Sequence, residues 1–224
     1  MPAEIISIPR QVLHQEVATR LRQRLVEGLI PPGTKLNERE LAEQLNVSRT
    51  PLREAIRMLA AEGLVDLLPN RGAQAAMLSP DDVAHTFELI AGLEGQSGEL
   101  AAARITDAEL AEIRALHHEM LAAHIRRDLS TYYRLNAQIH RLINAAARNP
   151  VLTRTWETVN ARLQALRFRS NFDDAKWQRA VQEHEQMVAL LAARDGDALR
   201  RLLVQHLQNK RDAVLEQIRS GAVA

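Results

Sequence analysis

Residues 32–65 read PGTKLNERELAEQLNVSRTPLREAIRMLAAEGLV. Apolar side chains recur at helical spacing in two segments of this stretch, a short one over Glu38–Leu45 and a longer one over 49–62. Ser48 is a suitable N-cap for the longer segment. The turn between the two segments begins at Asn46, and asparagine tolerates the left-handed backbone that a tight turn needs. The stretch therefore predicts a helix-turn-helix.

The flanking sequence extends this unit on both sides. A further helical pattern covers 12–28, and the Pro-Pro-Gly sequence at 31–33 breaks the chain before the short helix. After the longer helix, apolar runs at 64–68 and 74–77 flank turn-forming residues at 69–72, which predicts a small hairpin. The order of helix, break, short helix, turn, helix and hairpin is typical of a winged helix-turn-helix.

Polar residues suited to DNA gather at the N-terminal end of the longer helix. A recognition helix meets base edges at that end, and its backbone N–H groups attract phosphate. Arg49 can pair bidentately with guanine, and Arg71 at the hairpin tip can enter a minor groove, where Gly72 allows close backbone approach. The predicted DNA-contacting residues are Arg39, Ser48, Arg49, Thr50, Arg53, Arg71 and Gly72.

A second domain begins after the hairpin. Ser79 is a suitable helix cap, with a proline next to it and two acids in the first turn. Thr106 and Glu109 have the spacing of a capping box. We therefore expect a DNA-binding domain over 1–78 and six or so helices over 79–224. The predicted fold class is mainly α, an N-terminal winged helix-turn-helix plus a C-terminal all-helical antiparallel bundle.

Composition narrows the class of protein. Aromatic residues make up 3% of the 224 residues, which suits helix packing better than sheet sandwiches. The formal net charge of +1 means that a DNA-binding surface must be a local patch. Cysteine is absent, which excludes disulfides, thiol nucleophiles and cysteine-based zinc sites. Without a signal-like or membrane-spanning segment, we expect a soluble, cytoplasmic protein.

Four residues of the helical half can form a metal site. Asn136 and His140 are four positions apart and so share one helix face. His184 and His206 each lie about eleven residues from the break at 195–196, or roughly 16 Å along a helix axis, so they would sit side by side in an antiparallel hairpin. Three imidazoles and an oxygen suit zinc, nickel or another divalent cation. The alternative is that these are ordinary core histidines.

The N-terminal half resembles the GntR family of bacterial regulators. The resemblance lies in PGTKLNERELA at 32–42, VSRTPLREA at 47–55 and LAAEGLV at 59–65. It implies that Arg39, Arg49, Arg53 and the wing glycine Gly72 contact operator DNA. It also implies a homodimer that binds an operator with inverted-repeat symmetry.

The C-terminal half is similar to the FCD ligand-binding domain of the FadR-like branch, in LNAQIH at 135–140, ARNP at 147–150, EH at 183–184 and QHL at 205–207. Many members hold a divalent metal with one aspartate and three histidines; here Asn136 stands at the aspartate position. Members often carry arginine four residues before the glutamate that matches Glu94, whereas this chain has Ile90. The resemblance implies that the effector is a small carboxylate. If the family arginine helps to hold it, then in this chain either another cation takes that role or the effector is of a different kind.

The favoured function is thus a transcription regulator, with repression as the expected direction, whose DNA binding is controlled by an organic acid bound near the metal. One alternative is a regulator for which the cation itself is the effector. A metal-dependent hydrolase is a second, although Glu183 and Glu185 point away from the face of His184 and no general base is evident. A third is sequence-independent DNA binding, which predicts equal affinity for all sequences.

Overall fold

The computed structural model of the chain describes residues 10–69, 71–169 and 173–220, and the side chains within 13–69, 71–163 and 173–220. Asn70, in the predicted hairpin turn, lies outside these ranges. The chain divides into two compact units, with the boundary in the sequence between Met77 and Leu78. The fold class expected from the sequence, a winged helix-turn-helix followed by an all-helical unit, is confirmed.

The first unit combines helices with a small sheet. In chain order it contains α1 (Arg10–Val26), β1 (Lys35–Leu36), α2 (Glu38–Leu45), α3 (Arg49–Ala61), β2 (Val65–Leu68) and β3 (Gly72–Ala75). In the sheet, β3 lies between β1 and β2 and is antiparallel to both. The strand β1 was not predicted, because two residues are too few to show an alternating pattern.

The helix-turn-helix is held by local caps and an apolar seam. The side chain of Asn37 accepts hydrogen bonds from the backbone N–H groups of Arg39 and Glu40 in the first turn of α2. Asn46 ends α2 in the predicted left-handed conformation, with φ 52° and ψ 48°. The buried side of α3 follows helical spacing, because its fully buried residues are Leu52, Ala55, Ile56 and Leu59. This seam fixes α3 against α1 and α2 and leaves its opposite side exposed.

In the second unit, all secondary structure among the described residues is helical. Its helices are α4 (Pro80–Arg104), α5 (Asp107–Ile125), α6 (Leu129–Ala146), α7 (Pro150–Arg169), α8 (Asp174–Ala193) and α9 (Gly196–Arg219). Both predicted caps form, since Ser79 with Asp82 and Thr106 with Glu109 make complete capping boxes. Within the described ranges no helix has both the length and the apolar character required to span a bilayer.

A close approach between α4 and α9 positions one of the candidate metal ligands. A Cβ atom on Gly98 of α4 would lie 2.3 Å from Cδ1 of Leu203 and 3.1 Å from Cγ of Leu199. Both leucines are fully buried on α9, so they have little room to move. Glycine at 98 therefore sets the distance between the two helices, and His206 follows one turn after Leu203 on the same helix.

Candidate nucleic-acid interface and metal centre

The N-terminal end of α3 is exposed, as a DNA-reading surface requires. Ser48, Arg49, Thr50 and Arg53 all lie at the surface. Ser48 occupies the N-cap position with extended backbone, but its side chain makes no capping hydrogen bond, so the expected cap is wrong in that detail. The hydroxyl group of Ser48 is therefore not engaged by the N-terminus of its own helix.

Arg39, Ser48 and Arg49 meet around one concavity. It has a volume of about 560 Å³ and lies between the end of α2 and the start of α3. Its lining residues are Arg39, Ala42, Glu43, Asn46, Val47, Ser48 and Arg49. Two of the predicted arginines and a hydroxyl group are thus presented on the same part of the surface.

Two of the predicted arginines are ion-paired with acids of α2. Nε of Arg53 lies 2.7 Å from Oε2 of Glu38, and Nε of Arg39 lies 3.2 Å from Oε1 of Glu43. Within the described residues Arg49 forms no ion pair, and its charge faces solvent. The sequence alone did not predict the ion pair of Glu38 with Arg53. An acid in the first turn of a helix is ordinarily explained by its favourable interaction with the helix dipole.

A third arginine extends the charged side of α3. Arg57 lies four residues after Arg53 and is exposed, with Nη1 2.9 Å from Oε1 of Glu54. Arginines four apart share one helix face, so the cationic surface is longer than the predicted cluster at the helix tip. The four-residue spacing of Arg53 and Arg57 is present in the sequence and is the signal that predicts this longer surface.

The β2–β3 hairpin, which is the wing, carries the other two predicted DNA-contacting residues. Arg71 and Gly72 are exposed at the start of β3, and the backbone N–H of Arg71 donates to the carbonyl of Leu68 to close the turn. Gly72 has φ +86°, a value that residues with a side chain rarely adopt. An added Cβ there would meet no atom within 4 Å, so the backbone conformation rather than crowding requires glycine.

In the helical unit, His140 of α6, His184 of α8 and His206 of α9 form one buried cluster. Their exposed fractions are 3%, 1% and 1%. One ring nitrogen of each lies within 4.8 Å of those of the other two, and the Nε2 atoms of His140 and His184 are 3.1 Å apart. His184 and His206 lie side by side, with ring centroids 4.9 Å apart, as their spacing about the α8–α9 turn predicts.

The Nδ1 atom of each of these histidines lies close to an oxygen atom, and at His184 and His206 the two atoms are hydrogen-bonded. Nδ1 of His140 lies 2.8 Å from Oε2 of Glu94, and Nδ1 of His206 lies 2.5 Å from Oε2 of Glu183. Nδ1 of His184 lies 2.6 Å from the carbonyl oxygen of Ala180. At His184 and His206 the acceptor at Nδ1 favours the tautomer that carries its proton there, which leaves the Nε2 lone pair for another partner.

The two carboxylates are themselves held in place. Trp156 donates a hydrogen bond of 3.1 Å from its indole N–H to Oε1 of Glu94. Asn209 donates one of 2.6 Å from its side-chain amide to Oε1 of Glu183. Glu183 lies next to His184 in the sequence, yet its carboxylate contacts His206 on the neighbouring helix, a contact that the sequence did not predict.

Electrostatics favour a neutral imidazole at His184. Burial, reinforced by His206 and His140, holds the pKa of His184 well below its usual value. Burial also raises the pKa of the Glu183 carboxyl, against the opposing effects of Asn209, Lys210 and Arg179. A neutral imidazole is the form that ligates metals, so His184 is in the required protonation state at neutral pH.

The donor set fits a small divalent cation. Two nitrogens that each lie about 2.1 Å from a tetrahedral zinc ion are roughly 3.4 Å apart, close to the 3.1 Å between His140 and His184. Asn136, the fourth predicted ligand, is buried at 9% exposure one turn before His140 on α6. Ile90, at the position where arginine was expected from the resemblance, is fully buried on α4.

Comparison with known proteins matches the two units separately. Residues 13–74 match the family described as bacterial regulatory proteins, gntR family. Residues 85–209 match the FCD domain. The second match includes all four predicted metal ligands, and the first includes every predicted DNA-contacting residue.

Full-length relatives are regulators. The HTH-type transcriptional repressor RspR of Escherichia coli K12 is 31% identical over 211 residues, which cover 94% of this chain and 92% of that protein. The Nta operon transcriptional regulator of Aminobacter aminovorans is 34% identical over 197 residues, covering 86% and 89%. The solved structure of E. coli McbR/YncC has a TM-score of 0.81 at 23% identity, covering 92% of this chain and 98% of that one, a likeness of fold.

Proposed function

The chain belongs to the GntR family of bacterial regulatory proteins and carries an FCD domain, and on this basis we propose that it is an operator-binding repressor controlled by a carboxylate effector near a divalent cation. It is a transcriptional regulator rather than an enzyme, so the hydrolase alternative is set aside. Members of the family bind operator DNA, and FCD domains bind small-molecule effectors. Repression is inferred from the named activity of the E. coli relative.

Operator recognition is assigned to the exposed tip of α3 and to the wing. Arg49 lies at the first position of α3 with its guanidinium group in solvent, where it can pair with O6 and N7 of guanine in the major groove. Ser48 and Thr50 flank it with hydroxyl groups for phosphate contacts. Arg71 and Gly72 would follow the adjacent minor groove. A homodimer would place two such units on an inverted repeat, with each unit reading one half-site.

The cation is assigned to His140, His184 and His206, with Asn136 as an oxygen ligand. The observation that carries this assignment is that one ring nitrogen of each buried histidine lies within 4.8 Å of those of the other two. The Nδ1 atoms of His184 and His206 are hydrogen-bonded to other groups, and Nδ1 of His140 lies 2.8 Å from Oε2 of Glu94. Imidazole nitrogen favours zinc or nickel over harder cations. When bound, the cation supplies an electropositive centre that accepts a carboxylate oxygen of the effector.

Control of DNA binding requires that the effector prefer one arrangement of the protein. A carboxylate bound at the metal centre would contact groups of α6, α8 and α9 together, so its affinity depends on how these helices are packed. An effector shifts the equilibrium between DNA-competent and incompetent states only by its differential affinity for the two. We therefore expect operator release at effector concentrations close to its dissociation constant for the metal-loaded protein.

A second candidate function is that the cation itself is the effector. The near-complete burial of all three histidines favours it, because a cation bound there would draw three helices together. Release of operator DNA in response to zinc or nickel alone, with no organic acid present, would identify this mode.

The first test is metal binding. The purified full-length chain is loaded with zinc or nickel, dialysed, and assayed for bound metal by elemental analysis. We expect about one ion per chain, with loss of the ion in the His184→Ala and His206→Ala variants but not in His118→Ala, whose side chain is exposed on α5. A wild-type chain that retains no metal, or a His184→Ala variant that retains all of it, contradicts the assignment.

The second test concerns DNA and the effector. Bound duplexes are selected from random sequence with the metal-loaded chain, in the absence and in the presence of a panel of organic acids. We expect one symmetric enriched site and at least one acid that releases it. Equal enrichment of all sequences would instead indicate sequence-independent binding with a uniformly steep salt dependence.

A further inference from the structure

The side chain of Arg53 is ion-paired with an acid of the preceding helix. Its Nε atom lies 2.7 Å from Oε2 of Glu38, across the helix-turn-helix from α3 to α2. The Glu38 side chain is 28% exposed, whereas that of Arg53 is 57% exposed. The carboxylate therefore lies at the inner side of the pair and the guanidinium group on the outer side.

The hydrogen bond to Glu38 uses Nε of Arg53, the guanidinium nitrogen that bidentate pairing through Nη1 and Nη2 does not need. Arginine has five N–H donors, and Glu38 accepts the single one on Nε. The four donors on Nη1 and Nη2 form the terminal edge that pairs bidentately with guanine or with a phosphate. Glu38 therefore leaves the recognition edge of Arg53 available while it restricts the rotation of the side chain.

Glu38 is itself fixed by its place in the fold. It is the first residue of α2, directly after Asn37, whose side chain caps the helix. The other arginine–acid pair on this helix is different, because Arg39 and Glu43 lie four residues apart on one exposed face, with their side chains 75% and 67% exposed. An exposed pair of that kind orders neither side chain strongly.

We propose that Glu38 is a positioning residue for operator recognition, which holds the guanidinium group of Arg53 in the orientation that contacts DNA. This inference rests on the proposed DNA-binding role of α3. Glu38 touches no base or phosphate in this scheme and acts only through Arg53. With Glu38 in place the side chain of Arg53 is already ordered in the free protein, so DNA binding costs less conformational entropy.

The sign of the effect separates this role from simple electrostatics. A carboxylate near a phosphate backbone repels it, so neutralising Glu38 should tighten binding to every DNA sequence if charge alone matters. If Glu38 positions Arg53, the same change weakens operator binding. We expect Glu38→Gln to weaken it up to about tenfold, the factor that corresponds to ordering one long side chain when DNA binds.

The test is a double-mutant cycle on the full-length chain with the enriched operator from the selection experiment. Dissociation constants are measured for wild type, Glu38→Gln, Arg53→Ala and the double variant, with Glu40→Gln as the matched loss of charge from α2. Glu38→Asp keeps the charge but shortens the side chain, so it too should weaken binding, and it replaces Glu38→Gln if that variant does not fold. Circular dichroism verifies the fold of each variant.

Under the proposal, Glu38→Gln weakens operator binding in the wild-type background and has no further effect when Arg53 is already alanine. It also loses the same base preference that Arg53→Ala loses. Tighter or unchanged operator binding by Glu38→Gln overturns the positioning role, as does an equal loss in the Arg53→Ala background. An Arg53→Ala variant with wild-type operator affinity and specificity instead overturns the proposed role of Arg53 in the DNA surface itself.

Discussion

Nδ1 of His206 on α9 lies 2.5 Å from Oε2 of Glu183, the residue that directly precedes His184 on α8. Two neighbouring residues of one helix thus serve the same centre in different ways. His184 presents a ring nitrogen to the cluster, while Glu183 orients the histidine of the adjacent helix. Carboxylates in this position fix the ring and raise the basicity of a metal-binding imidazole.

Replacing Glu183 should therefore weaken metal binding without removing a ligand. We expect Glu183→Gln to lower zinc affinity about 10- to 100-fold, the range typical for loss of an outer carboxylate. The measurement is competition with a chromophoric chelator. Glu185→Gln is the matched control, since Glu185 flanks His184 on the other side but is exposed. Equal affinities in the two variants would show that Glu183 does not tune the centre.

The packing of α4 on α9 predicts a large loss of stability from one methyl group. Alanine at Gly98 would place its Cβ 2.3 Å from Cδ1 of Leu203. We expect Gly98→Ala to lower the free energy of unfolding by about 1–3 kcal/mol, as overpacked cores do. Urea denaturation followed by circular dichroism measures it.

Gly92, two turns earlier on α4, is the matched control for this substitution. An added Cβ at Gly92 would meet no atom within 4 Å. Because alanine favours helix more than glycine does, Gly92→Ala should raise the free energy of unfolding by up to about 1 kcal/mol. If both variants changed stability alike, the close α4–α9 contact at Gly98 would be wrong.

His117 predicts a pH dependence of stability. It is buried at 4% exposure on α5, and neither ring nitrogen has a hydrogen-bond partner among the described residues. Burial, aided by His118 and opposed by Glu185, lowers the pKa of His117 below its usual value. The unfolded chain therefore takes up the proton first as pH falls, and the folded chain loses stability from about pH 6.5 downward.

Replacing His117 with leucine should make this dependence shallower. The free energy of unfolding is measured between about pH 5.5 and 7.5, with a chelator present so that metal release does not contribute. His85→Gln is the control, because His85 is exposed on α4. A His117→Leu variant whose stability falls as steeply as that of the wild type contradicts the assignment.

The proposed interface predicts different losses for two arginines of α3. Arg49→Ala should remove about 1–3 kcal/mol of discrimination at one base pair of each half-site. Arg57→Ala removes the same charge two turns further along the helix, and it should lower affinity for all sequences alike. Binding to the enriched operator and to its single-base variants distinguishes the two. Uniform weakening by Arg49→Ala would remove it from the base-reading surface.

Features encoded by short-range contacts could be predicted from the sequence. The capping boxes at Ser79 and Thr106 depend on residues three positions apart, and the left-handed turn at Asn46 depends on that residue type. The meeting of His184 with His206 followed from their equal distances to one turn. In each case a single helix or hairpin supplies the geometry.

Other features depend on how separate helices are rotated against one another. Glu94 reaches His140 from α4 to α6, and Glu183 reaches His206 from α8 to α9. Sequence spacing gives the face on which each acid lies, but not which helix that face meets. The Glu38–Arg53 pair likewise depends on the crossing of α2 over α3, and an acid in the first turn of a helix is already explained as a dipole partner.

Asn136 allows a direct test of the coordination shell. A carboxylate is a stronger ligand than an amide oxygen for hard cations, so Asn136→Asp should tighten binding of manganese more than that of zinc. Asn144 is the matched control, since it lies one turn on the other side of His140 and donates a hydrogen bond of 2.7 Å to Ser97. Asn144→Asp removes that donor and buries a charge, so it should lower stability and leave metal affinity unimproved. If neither metal bound more tightly to Asn136→Asp, Asn136 would lie outside the shell, and the histidines alone would define the centre.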